Sequence, residues 1–95
     1  MRITRHTLVD DLSDLHPKVS RAELDDILTD FLTEIMYSVA DGDSVTINGF
    51  GRFESMYLQP REARNVVKGE PISVPGRMAA KFRPGRTFKQ LVNSR

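Results

Sequence analysis

The 95-residue chain contains no cysteine and no tryptophan, and it has only two histidines. Without cysteine there is no disulfide framework and no thiolate metal site, which is consistent with a reducing cytoplasm. No apolar run approaches the roughly 20 residues of a membrane-spanning helix, and the N-terminus lacks the apolar stretch of a signal peptide. We therefore expect one small domain, and a chain of this length gains core by pairing with a second copy.

Signals of catalysis or metal binding are also scarce. His6 and His16 lie ten residues apart, which is not a ligand spacing, and a zinc site needs four good ligands. The segment 49–51, Gly-Phe-Gly, lacks the third glycine of a dinucleotide fingerprint and predicts a tight turn instead. We predict that the chain is not an enzyme and needs no metal, cofactor, small-molecule substrate or membrane.

The net charge of +1 conceals two halves of opposite sign. Residues 1–47 hold four Lys/Arg against ten Asp/Glu, a net charge of −6, whereas residues 48–95 hold ten against three, a net charge of +7. This division indicates a polyanionic partner for the basic half. On charge alone, a charge-balanced dimer without such a partner is the alternative.

Two helices are predicted in the acidic half. Thr4 is suited to cap a first helix that ends at Leu15. Ser20 and Glu23 form a capping box for a second helix, which ends near Gly42. The apolar stripe of the second helix is wide, and we interpret part of it as a dimer interface, the alternative being an intrachain core. The stripe consists of Leu24, Ile27, Leu28, Phe31, Leu32, Ile35, Met36 and Val39.

Beyond residue 43 the apolar period changes to two, which indicates strands. Residues 44–48 and 52–58 predict two strands around the 49–51 turn, residues 77–83 predict a third, and residues 87–92 predict a short helix. Helices followed by strands, without βαβ alternation, indicate an α+β fold. The side chains expected to point inward are Val45, Ile47, Phe50, Phe53, Phe88, Leu91 and Val92.

Residues 59–75 contain three prolines and few large apolar side chains. Proline within strands favours an edge or an unpaired ribbon, so we predict a projecting hairpin, the alternative being an irregular surface loop. With about nine residues a side, it would extend about 30 Å at ~3.3 Å per residue. Its cations and those of the following strand and helix neutralise phosphates, and the absence of an apical aromatic favours duplex over single-stranded nucleic acid.

Four motifs carry a resemblance to a known family: GFGRF at 49–53, REARN at 61–65, GE at 69–70 and FRPGR at 82–86. The chain resembles the HU and integration host factor family of bacterial histone-like proteins, with spacing closer to the β-type subunit of integration host factor. The resemblance implies an intertwined dimer with a helical base, a three-stranded antiparallel sheet per chain that forms a saddle, and two long arms around the DNA minor groove. It also implies one domain, residues 1–95, with a helical dimerisation region at 1–43, the saddle sheet at 44–58 and 76–83, the arm at 59–75 and a C-terminal helix at 84–95.

The resemblance also assigns roles to residues. Arg61, Arg64 and Asn65 would contact the minor groove near the arm tip, the cations of the last strand and helix would hold phosphates, and the helix capped by Thr4 would offer backbone amides to a phosphate. The full set predicted to bind double-stranded DNA is Thr4, Arg61, Arg64, Asn65, Val66, Lys68, Arg77, Lys81, Arg83, Arg86 and Lys89.

Two positions depart from the family pattern. Val66 stands where members usually have the proline that wedges between base pairs, so we predict weaker or less localised bending. Asn48 stands where the β-type subunit has a charged residue, which argues for low sequence specificity. We expect an architectural DNA-binding protein of the cytoplasmic nucleoid, a homodimer or a heterodimer with a related subunit. The alternatives are a site-specific subunit and, with less support, a protein-interaction module that docks a partner through its acidic helices.

Overall fold

The computed structural model describes residues 1–64, 69 and 71–94, apart from the side chain of Arg64. The chain forms two compact units, Met1–Met36 and Tyr37–Arg95. The elements in chain order are α1 (Arg5–Leu15), α2 (Arg21–Ala40), β1 (Val45–Ile47), β2 (Gly51–Leu58), β3 (Arg61–Arg64), β4 (Pro71–Val74), β5 (Arg77–Pro84) and α3 (Arg86–Ser94). None of the helices in the described part of the chain combines the length and apolar content needed to span a bilayer.

Both helices of the acidic half begin at the predicted caps. Thr4 has extended backbone angles, and its side-chain oxygen accepts a hydrogen bond from the Thr7 N–H at 3.5 Å. The Ser20 hydroxyl oxygen accepts from the Glu23 N–H at 3.1 Å. Each bond satisfies one of the backbone donors that a helix start leaves unpaired, which is why these residues fix where α1 and α2 begin.

The end of α2 is a Schellman motif centred on Gly42. The Gly42 N–H donates to the Val39 carbonyl and the Asp43 N–H to the Ser38 carbonyl, each at 3.0 Å. Gly42 has a φ of +94°, a left-handed conformation that other residues adopt at a cost. The predicted end of the second helix at this glycine is therefore confirmed.

Ion pairs at the surface connect α1 to α2 within the first unit. The Arg5 guanidinium donates to the Asp25 carboxylate at 3.1 Å and to the Asp25 carbonyl at 2.9 Å. Arg21 pairs with Asp10 and contacts the His6 ring. Such exposed pairs typically contribute about 0–1 kcal/mol each, so they orient the two helices more than they stabilise them.

The apolar stripe of α2 is wider than one protomer covers. Leu24, Leu28 and Ile35 are half-buried. The outer residues keep large exposed fractions: Ile27 60%, Phe31 52%, Leu32 44% and Met36 62%. This division agrees with the interpretation that part of the stripe serves a contact outside the protomer.

The predicted three-stranded antiparallel sheet is present with the strand order β1-β2-β5. Its register runs from Val45 opposite Phe53 in the first pair, and from Gly51 opposite Pro84 to Leu58 opposite Arg77 in the second. Strands β3 and β4 form a separate antiparallel pair, with Arg61 opposite Val74. The hairpin predicted for the arm is therefore confirmed over its described strands.

Four phenylalanine rings form the apolar centre of the second unit. The centroids of Phe53 and Phe82 lie 4.8 Å apart across β2 and β5, and Phe50 lies 5.3 Å from Phe82 and 5.5 Å from Phe88. These tilted pairs are the geometry that aromatic rings prefer. The cluster joins the turn after β1, two strands and α3.

Gly51 is required by this packing. A Cβ atom at that position would lie 2.5 Å from Cε1 of Phe82 and 2.7 Å from the Arg83 carbonyl oxygen. The residue is buried. The second glycine of the Gly-Phe-Gly turn thus allows β2 and β5 to approach beside the rings.

Two expectations about inward side chains are wrong for the protomer, because Leu91 and Val92 are 53% and 65% exposed. Phe50 points into the ring cluster as expected but remains 43% exposed. The helix α3 is only nine residues long. It contacts the ring cluster through Phe88, and Leu91 and Val92 lie beyond that contact.

Candidate nucleic-acid interface

The three-stranded sheet has one aromatic face and one charged face. Side chains alternate between faces along a strand, and residues opposite each other on neighbouring strands share a face. Phe53 is opposite Phe82 on the first face, whereas Arg52 is opposite Arg83 on the second. The charged sheet face, as we call it, carries four cations and one carboxylate in β2 and β5: Arg52, Glu54, Arg77, Lys81 and Arg83.

Glu54 lies between two arginines on this face. Its Oε1 accepts from Nε of Arg83 at 2.6 Å, and its Oε2 lies 3.4 Å from Nε of Arg52. The hydrogen bond from Arg83 lowers the pKa of the Glu54 carboxyl, partial burial opposes this, and the charges of Arg83, Arg52 and Lys81 lower the pKa further. Glu54 is therefore a carboxylate at neutral pH.

The exposure of the three side chains differs. Arg83 and Arg52 are 60% and 52% exposed, whereas Glu54 is 21% exposed. Glu54 is thus the least exposed of the three side chains, and the two arginines offer more of their surface to solvent. Such a surface attracts phosphates and releases the counterions that surround them.

The arm follows directly from the sheet, because β2 leads into β3 and β4 leads into β5. Arg61 is exposed on β3. The backbone of Arg64 pairs with Pro71, while its side chain lies outside the described part of the structure. The predicted arm-tip residues Asn65, Val66 and Lys68 also lie outside the described residues.

Two further predicted cations occupy the first turn of α3. Arg86 and Lys89 are three residues apart and exposed, so they share one side of the helix. The start of α3 is fixed to the sheet turn, because the Gly85 N–H donates to the Phe50 carbonyl at 2.8 Å. The aromatic cluster therefore positions this basic helix within the second unit.

Thr4 lies in the first unit, apart in sequence from the other predicted site residues. Its hydroxyl oxygen is used within the helix cap, as described above. Its predicted contact with a phosphate through the backbone amides of α1 stays a prediction. Among residues 1–64, 69 and 71–94, no three His, Asp or Glu side chains come together as a metal site would need.

Comparison with known proteins identifies the family. Residues 3–93 match the family model described as bacterial DNA-binding protein. The chain belongs to this family. Its relatives include the integration host factor β subunit of Psychromonas ingrahamii, which is 30% identical over 97% of both chains, and that of Aliivibrio fischeri, which is 29% identical over 96% of this chain and 98% of the relative.

Solved structures of HU proteins share the fold. The HU chain of an Anabaena HU–DNA cocrystal is 33% identical, with a TM-score of 0.86 over 95% of this chain and 97% of that chain. HU from Thermotoga maritima is 26% identical, with a TM-score of 0.64 over 95% and 98% of the two chains. The resemblance inferred from the four motifs is therefore confirmed, and with it the architectural, DNA-binding character of this HU/integration host factor family protein.

The structure adds two residues that sequence reasoning did not place in the interface of this family member. In the sequence, Arg52 is part of the GFGRF motif, and Glu54 enters only the charge count of the basic half. Strict alternation around Phe53 was the available signal, because an inward Phe53 places both neighbours on the opposite face. The structure places these two beside Arg83 and Lys81, with Arg77 on the same face at the other end of the strands, whereas Arg61, Arg86 and Lys89 lie on other elements of the same unit.

Proposed function

We propose that the chain binds double-stranded DNA as a dimer, with little sequence specificity, and bends or compacts it as an architectural protein of the nucleoid rather than as an enzyme. The observation that carries the proposal is the charged sheet face, whose strands β2 and β5 continue into the arm. Phosphate contacts of this kind supply affinity without reading bases.

The arm supports a minor-groove mode of binding. Its two strands pair only with each other among the described strands, so the ribbon is not covered by the three-stranded sheet. Arginine side chains favour narrow minor grooves because the negative potential is strongest there. We propose that Arg61 and Arg64 act in this way.

The helical unit supports dimerisation. A row of exposed apolar residues on α2 continues into an apolar groove lined by Leu8, Leu12, Leu15, Leu28 and Leu32. A surface of this kind is stabilised by burial against another protein surface. We propose that a second copy of this chain packs against this apolar surface. A related subunit is the alternative, since the similar β chains of integration host factor are named as subunits.

The double substitution Arg61→Ala/Arg64→Ala tests the arm. We expect weaker binding to all duplex sequences alike, and a fall of about two in the slope of log affinity against log salt concentration. The measurement is a mobility-shift titration over a salt series. The matched control is Lys18→Ala, which removes one exposed cation between α1 and α2. Wild-type affinity of the double variant at moderate salt would show that the arm does not bind DNA.

The substitution Val66→Pro tests the bending mode. Restoring the usual family residue at the arm tip is expected to sharpen the bend, because a rigid ring wedges between base pairs more effectively than valine. The bend is measured as energy transfer between fluorophores at the two ends of a duplex. An unchanged end-to-end distance would contradict the assignment of Val66 as a weak wedge.

Site-specific binding is the second candidate, favoured by the likeness to integration host factor β subunits. Binding to random duplexes is compared with binding to duplexes enriched by selection, at the same salt concentration. We expect the two affinities to agree within about tenfold, whereas specific proteins bind their sites about 10³-fold or more tightly than random DNA.

A further inference from the structure

The cross-strand pair Arg52 and Arg83 is unusual because it places two like charges directly opposite each other. Such pairs destabilise a sheet unless something compensates the repulsion. Glu54 supplies the compensation, since its two carboxylate oxygens contact one arginine each, at 2.6 and 3.4 Å. The three side chains form a triad, Arg52–Glu54–Arg83, with a net charge of +1.

The contacts with Glu54 leave both arginine side chains largely exposed. Among the contacts of the described residues, each arginine reaches Glu54 through Nε, the nitrogen nearest the main chain. In each guanidinium group, the two terminal nitrogens, Nη1 and Nη2, lie beyond that contact, and together they carry four N–H donors per arginine. More than half of each arginine side chain is exposed, at 52% and 60%.

Two neighbouring guanidinium groups with outward donors match the chemistry of a phosphate. The planar fork of arginine binds phosphate oxygens through parallel N–H···O bonds, and its charge is retained at every physiological pH. A group anchored at Nε by a carboxylate also loses less freedom on binding than a mobile side chain does. Lys81, opposite Glu54 in the register, adds a third positive charge beside the pair.

We propose that Arg52 and Arg83 together hold one backbone phosphate of the duplex, and that Glu54 is the positioning residue that keeps the two guanidinium groups side by side. The proposal rests on the proposed DNA-binding function and deepens it, because it names a phosphate site on the sheet that is separate from the arm. Glu54 does not touch the phosphate in this arrangement, and acts through the two arginines.

The test compares salt slopes of duplex binding for the full-length protein. Arg52→Ala and Arg83→Ala are each expected to lower the slope of log affinity against log salt by about one, as the loss of one phosphate contact does. Lys18→Ala, the matched control, is expected to keep the wild-type slope. Circular dichroism and thermal melting establish that each variant is folded.

The substitution Glu54→Gln distinguishes two roles of Glu54: holding the two arginines side by side, or only adding a negative charge to the DNA-binding surface. The variant raises the net charge by one, so charge alone predicts tighter binding and a steeper slope. Positioning predicts a shallower slope by about one, because the two arginines separate and no longer hold one phosphate together. In an Arg52→Ala/Arg83→Ala background, Glu54→Gln is then expected to lower the slope no further. A steeper slope for the single variant would overturn the proposal, because Glu54 would then compete with the phosphate.

The outcomes distinguish the clamp from the underlying function. If the wild type binds duplex and Arg61→Ala/Arg64→Ala lowers its slope, while Arg52→Ala keeps it, the triad is not a phosphate site and the proposed function stands. If the wild-type protein does not bind duplex DNA even at low salt, the proposed function is wrong. If Glu54→Gln does not fold, the arginine variants alone test the proposal. Because both arginines would hold the same phosphate, the fall in salt slope for Arg52→Ala/Arg83→Ala should be smaller than the sum of the falls for the two single variants.

Discussion

The two units of this chain solve the problem of a small core in different ways. In Tyr37–Arg95, four phenylalanine rings from the sheet, the turn and α3 pack at centroid distances of 4.8 to 6.2 Å. Within residues 1–36, all of which the structure describes, Val9 is the single buried residue, at 1% exposure. The sheet unit thus builds an apolar centre from its own residues, whereas the helical unit leaves most of its apolar surface for another chain.

Charge follows the same division. The acidic residues concentrate in the half that contains α1 and α2, and the cations concentrate on the sheet, the arm and α3. A polyanion is attracted by the basic half and repelled by the acidic half, so separating the charges along the chain leaves one surface free to bind it. The comparison teaches that the near-zero net charge is the sum of two specialised surfaces.

The largest expected effect comes from a charge in the middle of the exposed stripe. Phe31→Glu would bury an unpaired carboxylate in a dimer interface, at a cost of several kcal/mol, so we expect dissociation of the dimer or loss of folding. Analytical ultracentrifugation measures the association, and the dependence of Tm on protein concentration checks it. Ala22→Glu, an acid added at an exposed position in the first turn of α2, is the matched control. A Phe31→Glu protein that remained dimeric with an unchanged Tm would contradict the comparison.

A smaller effect is expected in the sheet unit. Gly51→Ala would place a methyl group 2.5 Å from the Phe82 ring, and we expect a loss of about 1–3 kcal/mol in the free energy of unfolding. Urea denaturation measures it. Gly85→Ala is the control, because its Cβ would lie at an ordinary 3.4 Å from Phe50. Equal stability of the two variants would show that the close approach of β2 and β5 does not limit the packing.

The smallest effect is a dependence on pH at Glu54. Its folded-state pKa lies below the ordinary 4.5, so its ion pairs stabilise the fold above that pH and lose their contribution as the pH falls through the lowered value. We expect the difference in Tm between the wild type and Glu54→Gln to shrink between pH 5 and strongly acidic solution. A difference that stays constant over that range would mean that the triad does not contribute to folding.

Local signals in the sequence predicted most of the element boundaries. Thr4 and Ser20 marked two helix starts because their side-chain oxygens accept hydrogen bonds from backbone N–H groups three residues later. Gly42 marked a helix end because its backbone conformation lets nearby N–H groups bond to the last helical carbonyls. The change of apolar period after Gly42, another local signal, predicted the strands. The family resemblance, carried by four short motifs, then predicted the sheet, the arm and the DNA-binding character.

The outward direction of α3 side chains was not predictable in this way. An amphipathic pattern shows which residues share a face, but Leu91 and Val92 became exposed because Phe88 alone reaches the rings. How much of a face is covered depends on the length and placement of its neighbours, which are properties of the packed chain.

By itself, the sequence determined where the helices and strands lie, how the charge divides along the chain, and which family it joins, because caps, apolar periods and motifs act over a few residues. The tertiary structure alone decided that Arg52 meets Arg83 across β2 and β5, and that Glu54 lies between them. Residues about 30 positions apart become neighbours only through strand register, and register is set by the packing of a whole face rather than by any local preference.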